Sequence, residues 1–237
     1  MKVLILTCDE FSNLIPVFLR FYKRHWPDNP YKTEIITQTK PIKTVHKVFY
    51  AGKSSWSSEL ISYLKQSSED KFILILEDYF IRQPVDTKRV VAAEALCRGK
   101  VGCVRLNHAP HKYFKRHSIR TNIEGFREYP TTGRFSWTLQ IAFWQKKYLL
   151  DNLKEGESCW QNEEYGISRL REKKTDWKIL WPEENMVDYS PIGLLRKGAL
   201  EPTVLRWAKS KLTENSREYK ILEDQVKRQK DKQCLRR

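Results

Sequence analysis

The sequence predicts an α/β domain whose mainly parallel sheet is flanked by helices. Three observations lead there. Apolar runs of strand length, KVLILT at 2–7 and KFILIL at 71–76, alternate with stretches of helical periodicity. KFILIL is apolar on both faces, as a central strand of a covered sheet has to be. Both runs end in polar residues, Thr7-Cys8-Asp9 and Glu77-Asp78, and in open α/β sheets ligands bind outside the carboxyl ends of the strands.

Taken in order, residues 2–7 form the first buried strand. Leu14, Val17, Phe18, Phe21 and Tyr22 then recur at helical spacing, and Trp26-Pro27 closes that helix. TEIITQ (33–38) and KVFY (47–50) read as strands. Leu60, Ile61 and Leu64 mark a second amphipathic helix, entered through Ser57-Ser58, that leads into KFILIL. After Pro84, Asp86 caps a helix whose expected inner face is Val90, Val91, Ala95 and Leu96. VGCVRL (101–106) is a further strand. Residues 107–134 lack periodicity and read as a long functional loop or a hairpin excursion. LQIAFW (139–144) returns to a strand. Helices follow near 146–153 and 161–172, then a last strand at WKILW (177–181), and Gly193 and Gly198 bracket a turn. From about Leu200 the chain reads as helical and highly charged. The reading therefore divides into a domain over 1–199 and a basic, helical C-terminal extension over 200–237.

The 237 residues are 40% hydrophobic and carry a net charge of +15. No apolar run approaches the roughly 20 residues that span a bilayer. The opening MKVLILTCDE is too short and too quickly acidic for a signal peptide. Five cysteines, an odd number with no CxxC pair, fit free thiols in a reducing cytosol, hence a cytoplasmic location. The charge either serves solubility or attracts a polyanion: nucleic acid, an anionic membrane face or an acidic polymer. Arg105, Lys112, Arg116 and Arg120 are interleaved with Tyr113 and Phe114, and no acidic residue lies among them. That is either a solvated loop or the cation-and-aromatic pattern of a nucleic-acid groove. His108, His111 and His117 lie nearby but have no cysteine or carboxylate at a spacing that would support zinc.

Two acidic pairs carry the candidate chemistry. Glu77-Asp78 ends a strand that is otherwise wholly apolar. Carboxylates there are solvated, paired or hold a cation, and a hard divalent ion such as Mg²⁺ or Mn²⁺ prefers oxygen ligands. Glu163-Glu164 stands at the start of a helix, where the helix dipole alone favours acidic residues. The same position suits Glu163 as a general base taking a proton from a hydroxyl, with Trp160 beside it to stack on a sugar or a base.

Four stretches together resemble the GT-A class of glycosyltransferases, in particular a set of small bacterial and viral members. They are LTCDEFSNLIPVFLRFYKRHWPD, the segment from Trp56 to Phe80 that ends in LEDYF, SWTLQIAFW, and WQNEEYG. Their order covers residues 1 to about 170. The resemblance implies a GT-A-type, Rossmann-like fold and a nucleotide-sugar donor. It implies that Thr7, Cys8 and Asp9 line the nucleotide pocket and that Gly52 to Trp56, with Lys53 and Trp56 as contacts, lie near the base or ribose. Asp78 becomes the metal contact with Glu77 beside it, and Glu163 the acceptor-side carboxylate; as a plausible base, Glu163 points to an inverting, direct displacement. Gln140 orients a substrate, and Trp160, Glu164, Arg105, Lys112, Tyr113 and Arg116 face the acceptor. The family's acidic motif ends in a second aspartate, where this chain has Tyr79. Arg196 and Lys197 would then neutralise the leaving diphosphate. The basic stretch favours a hydroxylated DNA base such as 5-hydroxymethylcytosine as acceptor, with a surface glycan as the alternative. Peripheral membrane contact through the tail and a non-catalytic nucleic-acid-binding module are the remaining readings.

Overall fold

A computed structural model describes residues 1–108, 116–196 and 198–234, the side chains of 232–234 excepted. Nine strands form one sheet among these residues, in the order β3-β2-β1-β4-β8-β5-β9-β7-β6. The strands are β1 (Lys2–Leu6), β2 (Lys32–Thr37), β3 (Lys47–Tyr50), β4 (Lys71–Leu76), β5 (Val101–Arg105), β6 (Ile119–Arg120), β7 (Phe126–Tyr129), β8 (Ala142–Gln145) and β9 (Lys178–Pro182). A separate small hairpin joins β10 (Leu195–Arg196) to β11 (Ala199–Leu200). β1 lies parallel between β2 and β4, and β2 lies parallel to β3. β8 inserts antiparallel between β4 and β5, while β9 runs parallel to β5. Only β7 and β8 oppose the common direction, so the expected mainly parallel α/β sheet is the fold of the chain.

The helices are α1 (Ile15–His25), α2 (Trp56–Gln66), α3 (Thr87–Glu94), α4 (Lys146–Asn152), α5 (Cys159–Lys173), α6 (Pro202–Ser210) and α7 (Arg217–Cys234). Alternate strand residues feed two cores, as the period of two requires. Val3, Ile5, Ile73 and Ile75 pack with α1, α3, α6 and α7, whereas Leu4, Leu6, Phe72 and Leu74 pack with α2, α4 and α5. No helix among the described residues is long and apolar enough to cross a membrane. Cys8, Cys97, Cys103 and Cys159 are free thiols.

Several local expectations change in detail. Asp86 does cap α3, accepting the Arg89 N–H at 3.1 Å. The helix stops at Glu94, however, and its buried face is Val90 and Ala93, continued by Cys97. Val91 lies about 100° further round and is 45% exposed. The strand expected over 139–144 pairs only from Ala142, because Leu139 to Ile141 are held by other partners. The aperiodic 107–134 region yields the β6–β7 hairpin on the sheet edge. The second helix starts at Trp56 behind the Ser55 cap rather than at Ser57-Ser58.

The charged segment from residue 200 is two amphipathic helices. Val204 and Ala208 of α6 and Leu222 of α7 enter the core that α1 covers, and the Trp207 ring lies tilted against Phe21 with centroids 5.1 Å apart. Asn13 donates to Gln225 of α7 at 3.2 Å. Leu222 has no exposed surface. Leu222→Ala is therefore expected to cost about 3 kcal/mol, read as a drop in the urea midpoint with unchanged slope. An effect below about 0.5 kcal/mol would show that α7 is not part of the cooperative unit.

Candidate functional site

The site begins with strand register. Leu6 and Leu76 are paired partners in β1 and β4, so Thr7 and Glu77 leave the sheet side by side. Both stay anchored: Thr7 N–H donates to the Ile36 carbonyl at 3.0 Å and Glu77 N–H to the Leu6 carbonyl at 3.2 Å. Glu77 and Asp78 are buried behind this edge. The Asp78 carboxylate accepts the Leu195 N–H at 3.0 Å, and its carbonyl accepts the Leu194 N–H at 2.9 Å. The β10–β11 hairpin is thereby pinned to the end of β4. Gly193 makes the approach feasible. Its φ is +72°, and a Cβ there would lie 2.2 Å from the Asp78 carboxylate.

Burial pushes the Asp78 carboxyl up to about 7, against the Leu195 N–H, which pulls it down; the nearby Glu163 charge adds to the rise. Burial, with the Asp78 charge behind it, holds Glu77 well above the ordinary carboxylate range. The same desolvation raises the thiols of Cys8 to about 11 and Cys159 to about 12. Both thiols stay protonated at neutral pH, which removes them as thiolate nucleophiles.

The opposite wall is the first turns of α5. Ser158 and Gln161 form a capping box that sets the phase of the helix. Glu163 turns inward in that phase and Glu164 outward to solvent. Glu163 Oε1 accepts the Leu139 N–H at 2.6 Å. Burial raises the Glu163 carboxyl, while the Leu139 N–H and the charge of Arg105 oppose the rise. Trp160, one turn earlier, is 47% exposed on the rim.

Between the walls lies a cavity of about 680 Å³. Of the residues singled out from the sequence, Thr7, Cys8, Trp56, Glu77, Asp78, Gln140, Trp160, Glu163 and Arg196 line it. Sequence reasoning missed Glu10, Phe11, Ile192 and the Leu139 N–H. Backbone donors carry no sequence signature; Glu10 and Phe11 lie within the first family-like stretch but were not singled out there, and Ile192 had no motif to mark it.

Other expected contacts lie elsewhere. Arg105 is 1% exposed and sits beneath the site, its Nη1 donating to the Thr138 carbonyl at 2.7 Å. It does not face an acceptor because β5 directs it into the aromatic core, over Trp144. Asp9 braces the loop after β2, accepting the N–H groups of Thr39 at 2.9 Å and Lys40 at 2.8 Å. Asp9, Lys53, Glu164 and Arg116 are absent from the cavity wall. Lys112, Tyr113 and Lys197 lie outside the described residues.

Gln140 is fully engaged. Its Nε2 donates to the Tyr79 hydroxyl at 3.0 Å and the Pro191 carbonyl at 2.9 Å, and its Oε1 accepts from the Tyr189 hydroxyl at 2.8 Å. Tyr79, at the position of the expected second aspartate, is buried with its ring 5.0 Å from Tyr189. Among the described residues no three His, Cys, Asp or Glu side chains gather as a metal-ligand group. Glu77 and Asp78 are thus the carboxylates on offer at that corner, and one Asp78 oxygen is already committed to Leu195.

Solved structures share this architecture. CMP:2-keto-3-deoxy-manno-octonic acid synthetase, complexed with CTP, superposes with a TM-score of 0.56 at 13% identity, over 88% of this chain and 96% of its own. Residues 1–349 of TarS from S. aureus superpose at 0.51 and 11% identity, over 95% of this chain and 71% of theirs. A Bacillus anthracis protein described as a glucose-1-phosphate thymidylyltransferase, in complex with sucrose, superposes at 0.50 and 16% identity, over 93% and 99%. No protein-family model and no curated protein matches the chain. The likenesses establish the fold, which is the GT-A-like arrangement expected.

Two outcomes follow from the Asp78 corner. Asp78 binds its proton more tightly in the folded chain than at its ordinary 3.8. Its contribution to stability is complete below that value and is lost as pH rises through about 7. Asp78→Asn should therefore melt higher than the parent at pH 8, with the gap closing towards pH 4. A gap that is flat across this range would contradict the buried carboxylate. Gly193→Ala should cost at least about 1–3 kcal/mol through backbone strain, plus the displacement of Asp78. A thermal melt matching that of the parent would show that the approach is not tight.

Proposed function

We propose that this protein transfers a sugar from a nucleotide-sugar donor to a hydroxyl acceptor by direct, inverting displacement. One observation carries the reading: a single cavity at the carboxyl edge of a GT-A-type sheet has Glu77-Asp78 on one wall and the fixed carboxylate of Glu163 on the other. On this reading Glu163 takes the proton of the acceptor hydroxyl as its oxygen bonds to the anomeric carbon. The bond from that carbon to the diphosphate breaks, and the departing charge is met by Arg196 on the cavity wall. Ser54, Ser55 and Trp56 offer hydroxyls and a ring to the nucleoside. A divalent cation, if carried in with the diphosphate, would be held by the carboxylates of Glu77 and Asp78, and the step is derived without it.

The acceptor is better read as a saccharide hydroxyl than as a DNA base. Arg105, the first cation of the basic stretch, is buried beneath the cavity. The cavity wall itself carries Glu10, Glu77, Asp78 and Glu163 against Arg196, a poor lining for a polyanion. Trp160 on the rim instead presents a face on which a sugar ring stacks. Nucleotidyl transfer, the activity named for the Bacillus anthracis neighbour, requires a triphosphate to be neutralised, which this wall favours less.

Thermal-shift binding against UDP-, GDP-, CMP- and dTDP-sugars, followed by mass spectrometry of saccharide and hydroxymethylated-DNA acceptors, tests the reading. Glu163→Gln is expected to keep donor binding and to lower kcat by about 10²–10⁴-fold. The parent rate should rise with pH as Glu163 ionises. Unchanged turnover in Glu163→Gln would remove the base, and pyrophosphate release from a nucleoside triphosphate with a sugar phosphate would replace sugar transfer by nucleotidyl transfer.

A further inference from the structure

Arg105 is the one large cation drawn into the aromatic core beneath the cavity, and it forms no ion pair among the described residues. A guanidinium without a carboxylate in so dry a place is a net cost to folding unless something else uses its charge. Its Cζ lies 5.2 Å from the Trp144 ring centre and 6.0 Å from that of Trp181, where aromatic faces accept a cation. Nη1 donates to the carbonyls of Thr138 at 2.7 Å and Gln140 at 3.3 Å. Nε and Nη2 have no hydrogen-bond partner among the described residues.

The Thr138 carbonyl and the Leu139 N–H belong to one peptide unit. Trans geometry points them in opposite directions. On the carbonyl side stands Arg105, and on the N–H side Glu163, 2.6 Å away. We propose that Arg105 is a positioning residue for Glu163 and acts through this peptide unit, the guanidinium polarising its carbonyl and the N–H fixing the carboxylate. A cation on the carbonyl makes the N–H a stronger donor, because hydrogen bonds in series reinforce one another. A stronger donor favours the ionised carboxylate and holds it in one orientation. The same two contacts to residues 138 and 140 keep the segment in place, so Gln140 stays aimed at Tyr79 and Tyr189.

Other charges also bear on Glu163. Asp78 faces it from the end of β4, and Cys159 shares its helix. Tyr79 and Tyr189 lie within electrostatic reach and stay neutral, both held high by burial. Asp78 is the group among these whose ionisation competes, so the relay is tested with and without it.

What Glu163 does in turnover rests on the sugar-transfer reading, but how it is held does not. The test therefore uses the free protein, labelled with ¹⁵N-leucine and carboxyl-¹³C glutamate, with Glu163 assigned by Glu163→Gln. The parent should show a downfield Leu139 amide proton that moves upfield as Glu163 is protonated. Arg105→Met, which fills the space with an apolar chain, should shift that proton upfield and move the Glu163 titration to higher pH. The same shift should persist in an Asp78→Asn background. Arg105→Lys keeps the charge in a similar volume and should shift both signals less; it serves as the readout if the Met variant does not fold. Unchanged Leu139 and Glu163 signals in a folded Arg105 variant would overturn the proposal. Failure of the sugar-transfer reading registers separately, as Glu163→Gln turning over like the parent.

Discussion

The parallel pairing of β1 with β4 is the constraint on which the rest of the site depends. Because Leu6 lies opposite Leu76, the two strands end level, and their polar exits emerge together at one edge. A one-residue slip would exchange the faces of β4, sending Phe72 and Leu74 to the side of Ile73 and Ile75. The two cores would both lose their fit, so the register is held by burial on both faces. Every later feature is laid against this level edge: the hairpin pinned to Asp78, the helix that brings Glu163, and the segment that enters β8.

The insertion of β8 does as much for the site as the parallel strands do. Running antiparallel between β4 and β5, it begins at the edge where its neighbours end. The residues just before it, Thr138 to Ile141, therefore pass across the floor of the cavity. Apart from the Ile141 carbonyl, which accepts the Leu106 N–H at 3.1 Å, their peptide groups are not consumed by sheet pairing. Leu139 is free to bind Glu163, Ile141 to bind the Tyr189 hydroxyl, and the Gln140 side chain to tie Tyr79 to Pro191. The position expected to carry a second acidic ligand is thus built into a tyrosine-and-amide network. That network stiffens the corner where burial, with the Asp78 charge behind it, raises the proton affinity of Glu77.

Much of this was legible from residues alone. The runs at 47–50 and 71–76 are strands at those very residues, and Asp86 is the cap it reads as, because in each case the deciding forces are local. Glu163 was distinguishable from Glu164 only through helix phase, which the Ser158 and Gln161 box sets. Arg105 was misread as an exposed cation because its neighbours in sequence are basic, whereas its neighbours in space are Trp144 and Trp181. The place of β8 in the sheet was not legible either. An apolar run reports that it will be covered, and not between which strands or in which direction. Gly193 read as a turn residue; its contact with Asp78 joins chain segments 117 residues apart at Leu195, beyond any local pattern.

Gln229 of α7 holds the β10–β11 hairpin from outside, donating to the Gly198 carbonyl at 2.8 Å and accepting the Leu200 N–H at 3.0 Å. The hairpin in turn carries Arg196 and the N–H that meets Asp78. During synthesis the chain emerges from its first strand onward, so the two carboxylates at the end of β4 are made long before the helix that secures their cover. A nascent chain on the ribosome consequently displays the acidic edge of the sheet open and unclamped. The cavity takes its final shape only once α7 has followed, so the order of synthesis places the clamp after the centre that it clamps.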